Sequence, residues 1–465
     1  MTIRIFKRSF VISAIACFMF SFSSTAMAAV IWTTETVDST VESPDSFYPI
    51  SLALDNIDAP HISYMSKYKL NESSDLKYAY KSGGNWQKET IDSVDTLSIS
   101  SLKLDSHGNP HISYCPILGY SDPSSTLKYG LKVGGIWQTE TVDSNSYAAY
   151  CTLAVDSSGN PHISYINQES SISSKIQYAV KSLGNWQIET VDILSYLYTE
   201  ASMTLDSTDN PHISYTSFAS DLSYATKNGG LWQTELIEKG DISSIAVDSS
   251  GNPHISYVGN SGLNYISKTS SGWQKESIDN NLIAGHSTSL VLDSNGNPRV
   301  SYSGPSLVLS YAIKKGGNWQ IETVDNNCYG DFPILAVDKS GNPHISYFDV
   351  GNSKIKYASR IQTPSMRNKF YRSFFRTNKT VWMRLITDGQ ESNLQDMSIT
   401  LIGPGDSFKG VSVNQLKRIF SLGKVLYIPL IINKGATLGQ WKVVCISSLP
   451  ETGQVKRIEE NFSVR

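Results

Sequence analysis

A chain of 465 residues with 40% hydrophobic content has the composition of a folded protein with room for more than one domain. Its net charge of −3 conceals a split, because residues 29–360 carry 21 basic and 35 acidic side chains while residues 361–465 carry 15 basic and 7 acidic. The acidic part excludes nucleic-acid binding through phosphates.

In chain order, residues 1–28 come first. They open on Arg4, Lys7 and Arg8, run apolar over residues 10–22 and end in Ala26-Met27-Ala28. That is the pattern of a cleaved secretory leader, too short to span a bilayer. A secreted, periplasmic or cell-surface protein with no transmembrane segment in the mature chain is expected. Cys17 offers a lipoprotein-type alternative, but the apolar run continues past it to a better small-residue site.

From residue 29 to 360 one unit recurs. Its fullest copy is Asp156-Ser157-Ser158-Gly159-Asn160-Pro161-His162-Ile163-Ser164-Tyr165, and the equivalents of His162 are His61, His111, His212, His254, Arg299 and His344. Each unit carries four short alternating runs with β-branched and aromatic residues, which predicts strands. In the first unit they are Leu52-Ala53-Leu54 (a), His61-Ile62-Ser63-Tyr64 (b), Leu76-Lys77-Tyr78-Ala79 (c) and Trp86-Gln87-Lys88-Glu89-Thr90-Ile91 (d). Seven such units spaced 42 to 51 residues apart predict a seven-bladed β-propeller, one antiparallel sheet per blade.

The a–b turn has a mechanical reason. One residue of a short hairpin loop must take positive φ, and Gly108, Gly159, Gly251, Gly296 and Gly341 stand there, with Asp58 and Asp209 in the other two copies. The closure of the ring is also legible. The seventh unit ends at Ile355-Lys356-Tyr357-Ala358 without a d run, and a lone d run, Trp32 to Asp38, begins the mature chain. The first strand is therefore expected to complete the last blade and remove two free sheet edges.

After a linker over residues 361–367 the repeat stops. Residues 368–465 read as a small β-sandwich, with strands over 380–387, 397–402, 425–432, 440–446 and 458–464. Gly439-Gln440-Trp441-Lys442-Val443-Val444 and Asn461-Phe462-Ser463-Val464 resemble the last strands of bacterial immunoglobulin-like modules. Leu449-Pro450-Glu451-Thr452-Gly453 matches a sortase anchor but lacks the apolar span and basic tail behind it, so a hairpin turn is the better reading.

Cys115 and Cys151 fall on one rim in neighbouring blades, and spacing leaves open either a disulfide or two buried thiols. The repeated His stands at equivalent positions of different blades, too far apart to share a metal ion. A hydrogen bond from each His to its own turn is expected instead. No cofactor or metal is expected.

The Asp-Ser-x-Gly-Asn-Pro turns resemble the Asp-containing turns of sialidase-type secreted bacterial propellers over residues 31–360. The resemblance implies the propeller fold. It does not extend to sialidase activity, because three arginines would have to hold the substrate carboxylate and the ring contains only Arg299 and Arg360.

The a–b and c–d turns are nearly uniform and share one face, whereas loops b–c and d–a share the other face and differ in every blade. Sites are usually carried on such variable loops. They hold Phe47, Tyr48, Tyr68, Tyr120, Tyr147, Tyr150, Tyr196, Tyr198, Tyr329 and Phe332, beside Asp331 and His286. Rigid amphipathic rings next to polar groups suit glycans or proteins. The binding set is Tyr48, Tyr147, Tyr150, Tyr196, Tyr198, His286, Tyr329 and Asp331, in a monomeric, non-catalytic protein that recognises a glycan or a surface protein. The alternative is a carbohydrate-active enzyme, a polysaccharide lyase or glycoside hydrolase with its site at the axis. His286 and Lys103 are its candidate base and its candidate cation.

Overall fold

The computed structural model describes residues 30–41, 50–66, 74–94, 98–116, 126–144, 147–170, 173–195, 200–217, 219–281, 287–304, 308–326 and 330–362, together with strands between residues 367 and 464. Two compact units divide the chain, one of them Val30–Gln362.

In that unit the seven repeats are seven four-stranded antiparallel sheets. Blade 1 consists of Ser51–Leu54, Pro60–Met65, Ser74–Ser82 and Asn85–Val94, strands a to d in order. Strand b starts at the turn proline in every blade, from Pro60 to Pro343, where the missing N–H costs the ladder nothing. Blade 7 is Gly330–Val337, Pro343–Asp349 and Lys354–Gln362, completed by Val30–Asp38. The expected closure is present, with register from Val30↔Gln362 to Asp38↔Ile355.

Each a–b turn is closed by its own aspartate. Asp156 Oδ1 accepts the N–H groups of Ser158 and Asn160 at 2.9 and 2.7 Å. The glycine that follows has φ of 77 to 85°, and Asp58 and Asp209 take 65 and 64° in its place. Those two aspartates also tie blades together. Asp209 accepts the Ser157 N–H and hydroxyl at 3.0 and 2.6 Å, and Asp58 accepts the Lys339 N–H at 3.3 Å.

The repeated polar residues interlock neighbouring blades. In each of seven junctions a strand-d glutamate accepts the indole N–H of the next strand-d tryptophan at 2.9 to 3.3 Å. The same glutamate meets a cation: Lys81, Lys132, Lys181, Lys227, Lys268 and Lys314 in six junctions and Arg360 in the seventh. The tryptophan ring stands edge-on to a strand-c tyrosine at 5.1 to 5.6 Å, a geometry worth roughly 0.5–1.5 kcal/mol beyond its buried area. On the innermost strands, Ser51, Ser101, Ser202, Ser244 and Ser289 accept a backbone N–H of the next blade at 2.9 to 3.2 Å. An inner edge with no partner strand is thereby satisfied.

The repeated histidine serves its own blade. His162 Nε2 lies 3.4 Å from Asp156 Oδ2, and its Nδ1 lies 2.5 Å from the Tyr178 hydroxyl. A carboxylate only accepts, so Nε2 donates and Nδ1 accepts the tyrosine O–H. Arg299 makes the same two links in blade 6, to Asp293 at 2.9 Å and Tyr311 at 3.3 Å. Burial pulls the pKa of His61, His111, His162, His212 and His254 below 6.5, against the opposing pull of the turn aspartates. A histidine pKa that is lower folded than unfolded means that the unfolded chain takes up protons first as pH falls. Stability is therefore lost on acidification from about 6.5 downward. The melting temperature is expected to fall steadily between about pH 7 and pH 5, and a flat calorimetric profile over that window would refute the assignment.

The other unit contains residues 363–465. Its strands include Lys379–Ile386, Asp396–Ile402, Val425–Ile432, Gly439–Leu449 and Gln454–Val464, in one four-stranded and one five-stranded sheet. Leu449 pairs with Gln454, and residues 450–453 of the sortase-like pentapeptide lie outside the described residues. Among the described residues no helix is long and apolar enough to cross a membrane.

Candidate functional site at the axial mouth

Strand a is the innermost strand of every blade and so lines the axis. Its start, where the d–a loop enters, rings the axial mouth on the variable face. Six residues before the turn aspartate stand Ile99, Tyr150, Glu200, Ile242, Ser287 and Phe332 in blades 2 to 7. Closer to the turn the blades look alike, but here they carry aliphatic, aromatic, acidic and hydroxyl groups.

The backbone is strained at this level. Tyr150, Ile242 and Phe332 have φ of 49, 45 and 48° and sit in irregularities of the a–b pairing. An aromatic or β-branched residue there costs on the order of 1–3 kcal/mol, and such strain gathers at functional sites.

Three carboxyl groups share the mouth. Glu200 is partly buried, and its pKa is pushed up to about 7, first by burial and then by the fields of Asp241 and Asp331. Asp241 belongs to the next blade and Asp331 to blade 7, three blades away around the ring. Asp241 accepts the Ser220 hydroxyl at 2.8 Å. Asp331, 7% exposed, accepts the Ser303 hydroxyl at 3.2 Å and the Phe332 N–H at 2.9 Å. Glu200 is thus held near half-protonation at neutral pH. A carboxyl in that state both donates and accepts hydrogen bonds, which is what sugar hydroxyls need.

The rim is low beside these groups. The b–c connection of blade 5 turns within Gly259–Gly262, which pair directly, and that of blade 4 is a short loop held by the Ser217 N–H to the Asp221 carbonyl at 3.1 Å. Gly240 follows, and a Cβ there would stand 2.4 Å from the Tyr257 ring. Sequence reading placed the short loops around blades 4 to 6, and the described turns of blades 4 and 5 agree.

Of the predicted binding residues, Tyr147, Tyr150 and Asp331 are described. Tyr147 is partly buried at the entry to blade 3, its N–H donating to Asn167 Oδ1 at 3.3 Å. Tyr150 is not a free loop aromatic. It packs on the cluster of Ile166, Ile176, Tyr178 and Met203, because the bulge turns it into the seam between blades 3 and 4. Tyr48, Tyr196, Tyr198, His286 and Tyr329 lie outside the described residues, as do Phe47, Tyr68 and Tyr120. Glu200 and Asp241 were missed. Aligning the repeats by column, rather than by loop, would have exposed them as acidic departures at a variable level.

The possible disulfide is not formed: Cys115 and Cys151 are both free and buried. They are neighbours, with the Cys151 N–H donating to Cys115 Sγ at 3.2 Å while Cys151 Sγ is turned to the Ile99 carbonyl at 3.7 Å. Burial raises the Cys115 thiol pKa, which leaves little of the thiolate that oxidation requires. Among the described residues no group of three His, Cys, Asp or Glu is arranged to hold a metal ion. Arg299 and Arg360 are committed to different blade locks, Asp293 and Glu322, so they do not form an anion clamp.

The fold and the mouth define a seven-bladed β-propeller built of near-identical blades with one non-uniform axial opening. No family model and no curated protein sequence matches the chain. Among solved structures it is similar to the lectin SapL1 in complex with alpha-methyl fucoside, at 12% identity and TM-score 0.44, covering 62% of this chain and 98% of that one. It is also similar to AofleA from Arthrobotrys oligospora, at 14% identity and TM-score 0.42, covering 63% and 89%. A third is the ulvan lyase PL25, at 13% identity and TM-score 0.47, covering 65% and 90%.

Proposed function

We propose that the chain is an exported, non-catalytic recognition protein that binds a neutral glycan at the axial mouth of its variable face. In this reading the leader directs export, and the basic immunoglobulin-like unit attaches or spaces the propeller. The observation that carries it is the contrast along strand a between uniform locks and a mouth where Glu200, Asp241 and Asp331 converge beside a low rim. The same acidity disfavours the alternative of a lyase acting on uronates, since such a substrate needs its carboxylate neutralised and the mouth offers the opposite charge.

A panel of immobilised glycans assayed for both retention and product release tests this. Wild-type protein should be retained on neutral glycans without releasing product. Glu200→Ala should weaken retention about tenfold, the loss of a side chain that both donates and accepts, and Tyr147→Ala by a similar factor. Ser158→Ala in a uniform turn should change nothing. Retention confined to acidic polysaccharides, or product release, would sink the reading, and binding only to a protein surface would redirect it.

A further inference from the structure

Nine large aliphatic side chains are exposed among the described residues, and seven of them stand on blades 2, 3 and 4. Blade 3 carries a row of them along one strand. Its strand d, Asn185–Ser195, is the longest of the seven outer strands at 11 residues, and among the described residues no strand pairs with its outer edge. Leu183 is exposed at the turn before it, Ile188 at its middle and Ile193 near its far end.

The other blades guard these positions. Where Ile188 stands, blades 1 and 5 have Lys88 and Lys275, and blades 2, 4 and 7 have Thr139, Thr234 and Thr34. Where Ile193 stands, every other blade has serine, asparagine or lysine. Blade 6 exposes Ile321 but has Gly316 and Asn326 at the other two places. Short, polar or charged outer strands keep a sheet from pairing with another chain, and blade 3 has given up all three defences.

Leu183 is an independent observation. It takes φ of 50° in the c–d turn, at the place where Gly83, Gly134, Gly229 and Gly316 take 57 to 60°. It is also 98% exposed. A leucine is unfavourable there twice, in its backbone and in its hydration, and a contact that covers it offsets the second cost.

The strand is complementary to itself. Two antiparallel copies related by a two-fold axis at Ile188 set Ile188 against its twin, Gln187 against Glu189 and Trp186 against Thr190. Leu183 of each copy then lies toward the end where Ile193 of the other stands. No carboxylate faces a carboxylate in this register, whereas an axis at Glu189 would set two of them opposite each other.

We propose that blade 3 is the contact of a symmetric dimer, in which strands d of two copies of this chain pair edge to edge and join two blades into one continuous sheet. The contact is isologous, the same strand serving on both sides. The chain is then a dimer and not the monomer expected from its sequence, and each particle presents two axial mouths. The contact stands independently of the glycan reading.

Sedimentation velocity of the full chain, at concentrations up to about 100 µM, reads the association, for which a Kd on the order of 10 µM is expected. Ile188→Lys installs the residue of blades 1 and 5, and it should weaken the dimer at least about tenfold with the melting temperature unchanged. Leu183→Gly installs the residue of four sibling turns, and it should weaken the dimer while leaving the melting temperature no lower. Ile188→Cys should cross-link to its twin under mild oxidation, because directly opposed Cα atoms lie about 4.5–5.5 Å apart, within disulfide reach. Thr190→Cys should not, since its twin is several residues away along the strand. A wild type that stays monomeric, a dimer that survives Ile188→Lys, absence of the Ile188→Cys cross-link, or a cross-link through Thr190→Cys would each overturn the proposal.

Discussion

Removal of Val30–Asp38 is expected to lower the melting temperature of the propeller by about 10 °C or more and to make it prone to association. The strand holds three blades at once. It pairs along its length with Lys354–Gln362 in blade 7. Trp32 donates to Glu322 of blade 6 at 3.2 Å. Glu35 accepts Lys81 at 2.7 Å and Trp86 at 3.2 Å from blade 1, and Asp38 accepts the Tyr64 hydroxyl at 2.6 Å. Without it, strand c of blade 7 becomes a free edge, a template for pairing with another chain. The lost packing is on the order of 5 kcal/mol, comparable with the whole stability of a domain, and each kcal/mol shifts the melting point of a large domain by roughly 2–4 °C. Calorimetry and size-exclusion chromatography of the truncated chain read both effects. An unchanged melting temperature would mean that the ring does not depend on its closing strand.

Asp325→Ala should destabilise by about 3 kcal/mol, whereas Glu235→Ala should cost less than about 1 kcal/mol. Both carboxylates accept a lysine of the next blade, Lys356 at 2.5 Å and Lys268 at 2.5 Å. Their surroundings differ. The Asp325 and Lys356 side chains are 7% and 14% exposed, and the Tyr347 hydroxyl also donates to Asp325 at 2.7 Å. Removing Asp325 takes away the nearest acceptor of a buried hydroxyl and of a buried ammonium whose other carboxylate, Asp349, stands farther off at 3.7 Å. The Glu235 and Lys268 side chains are 39% and 37% exposed, so water replaces what is lost. Chemical denaturation measures both, and Asp325→Ala with Lys356→Met should recover part of the loss because the buried ammonium has lost its closer carboxylate. Equal costs for the two single variants would show that burial does not set the strength of these locks.

Much of this architecture was legible because each blade solves a local problem in the same way. A turn needing positive φ forces Gly159 or Asp209, a proline is tolerated only where strand b begins, and alternation over Trp86 to Ile91 admits only a half-buried strand. These requirements act within a few residues, and repetition makes them visible seven times. Even the missing d run of the last blade could be matched to Val30–Asp38, because strand counting is arithmetic on such local units. The histidine reading held in part: His61, His162 and His212 bond their own turn aspartates, whereas the link common to all six copies is to the strand-c tyrosine of the same blade.

Sequence by itself thus determined the strands, the turns, the blade count and the closure. The tertiary structure decided which residues meet across blades. That Glu35 accepts Lys81 and Trp86 depends on how one sheet twists against the next. That Tyr150 enters a seam rather than a loop depends on a bulge whose left-handed residue is an aromatic, against its own preference. Glu200, Asp241 and Asp331 are separated by up to 131 residues and become neighbours in field only when the ring closes. The raised pKa of Glu200 then follows from burial and like charge, quantities that no local pattern carries.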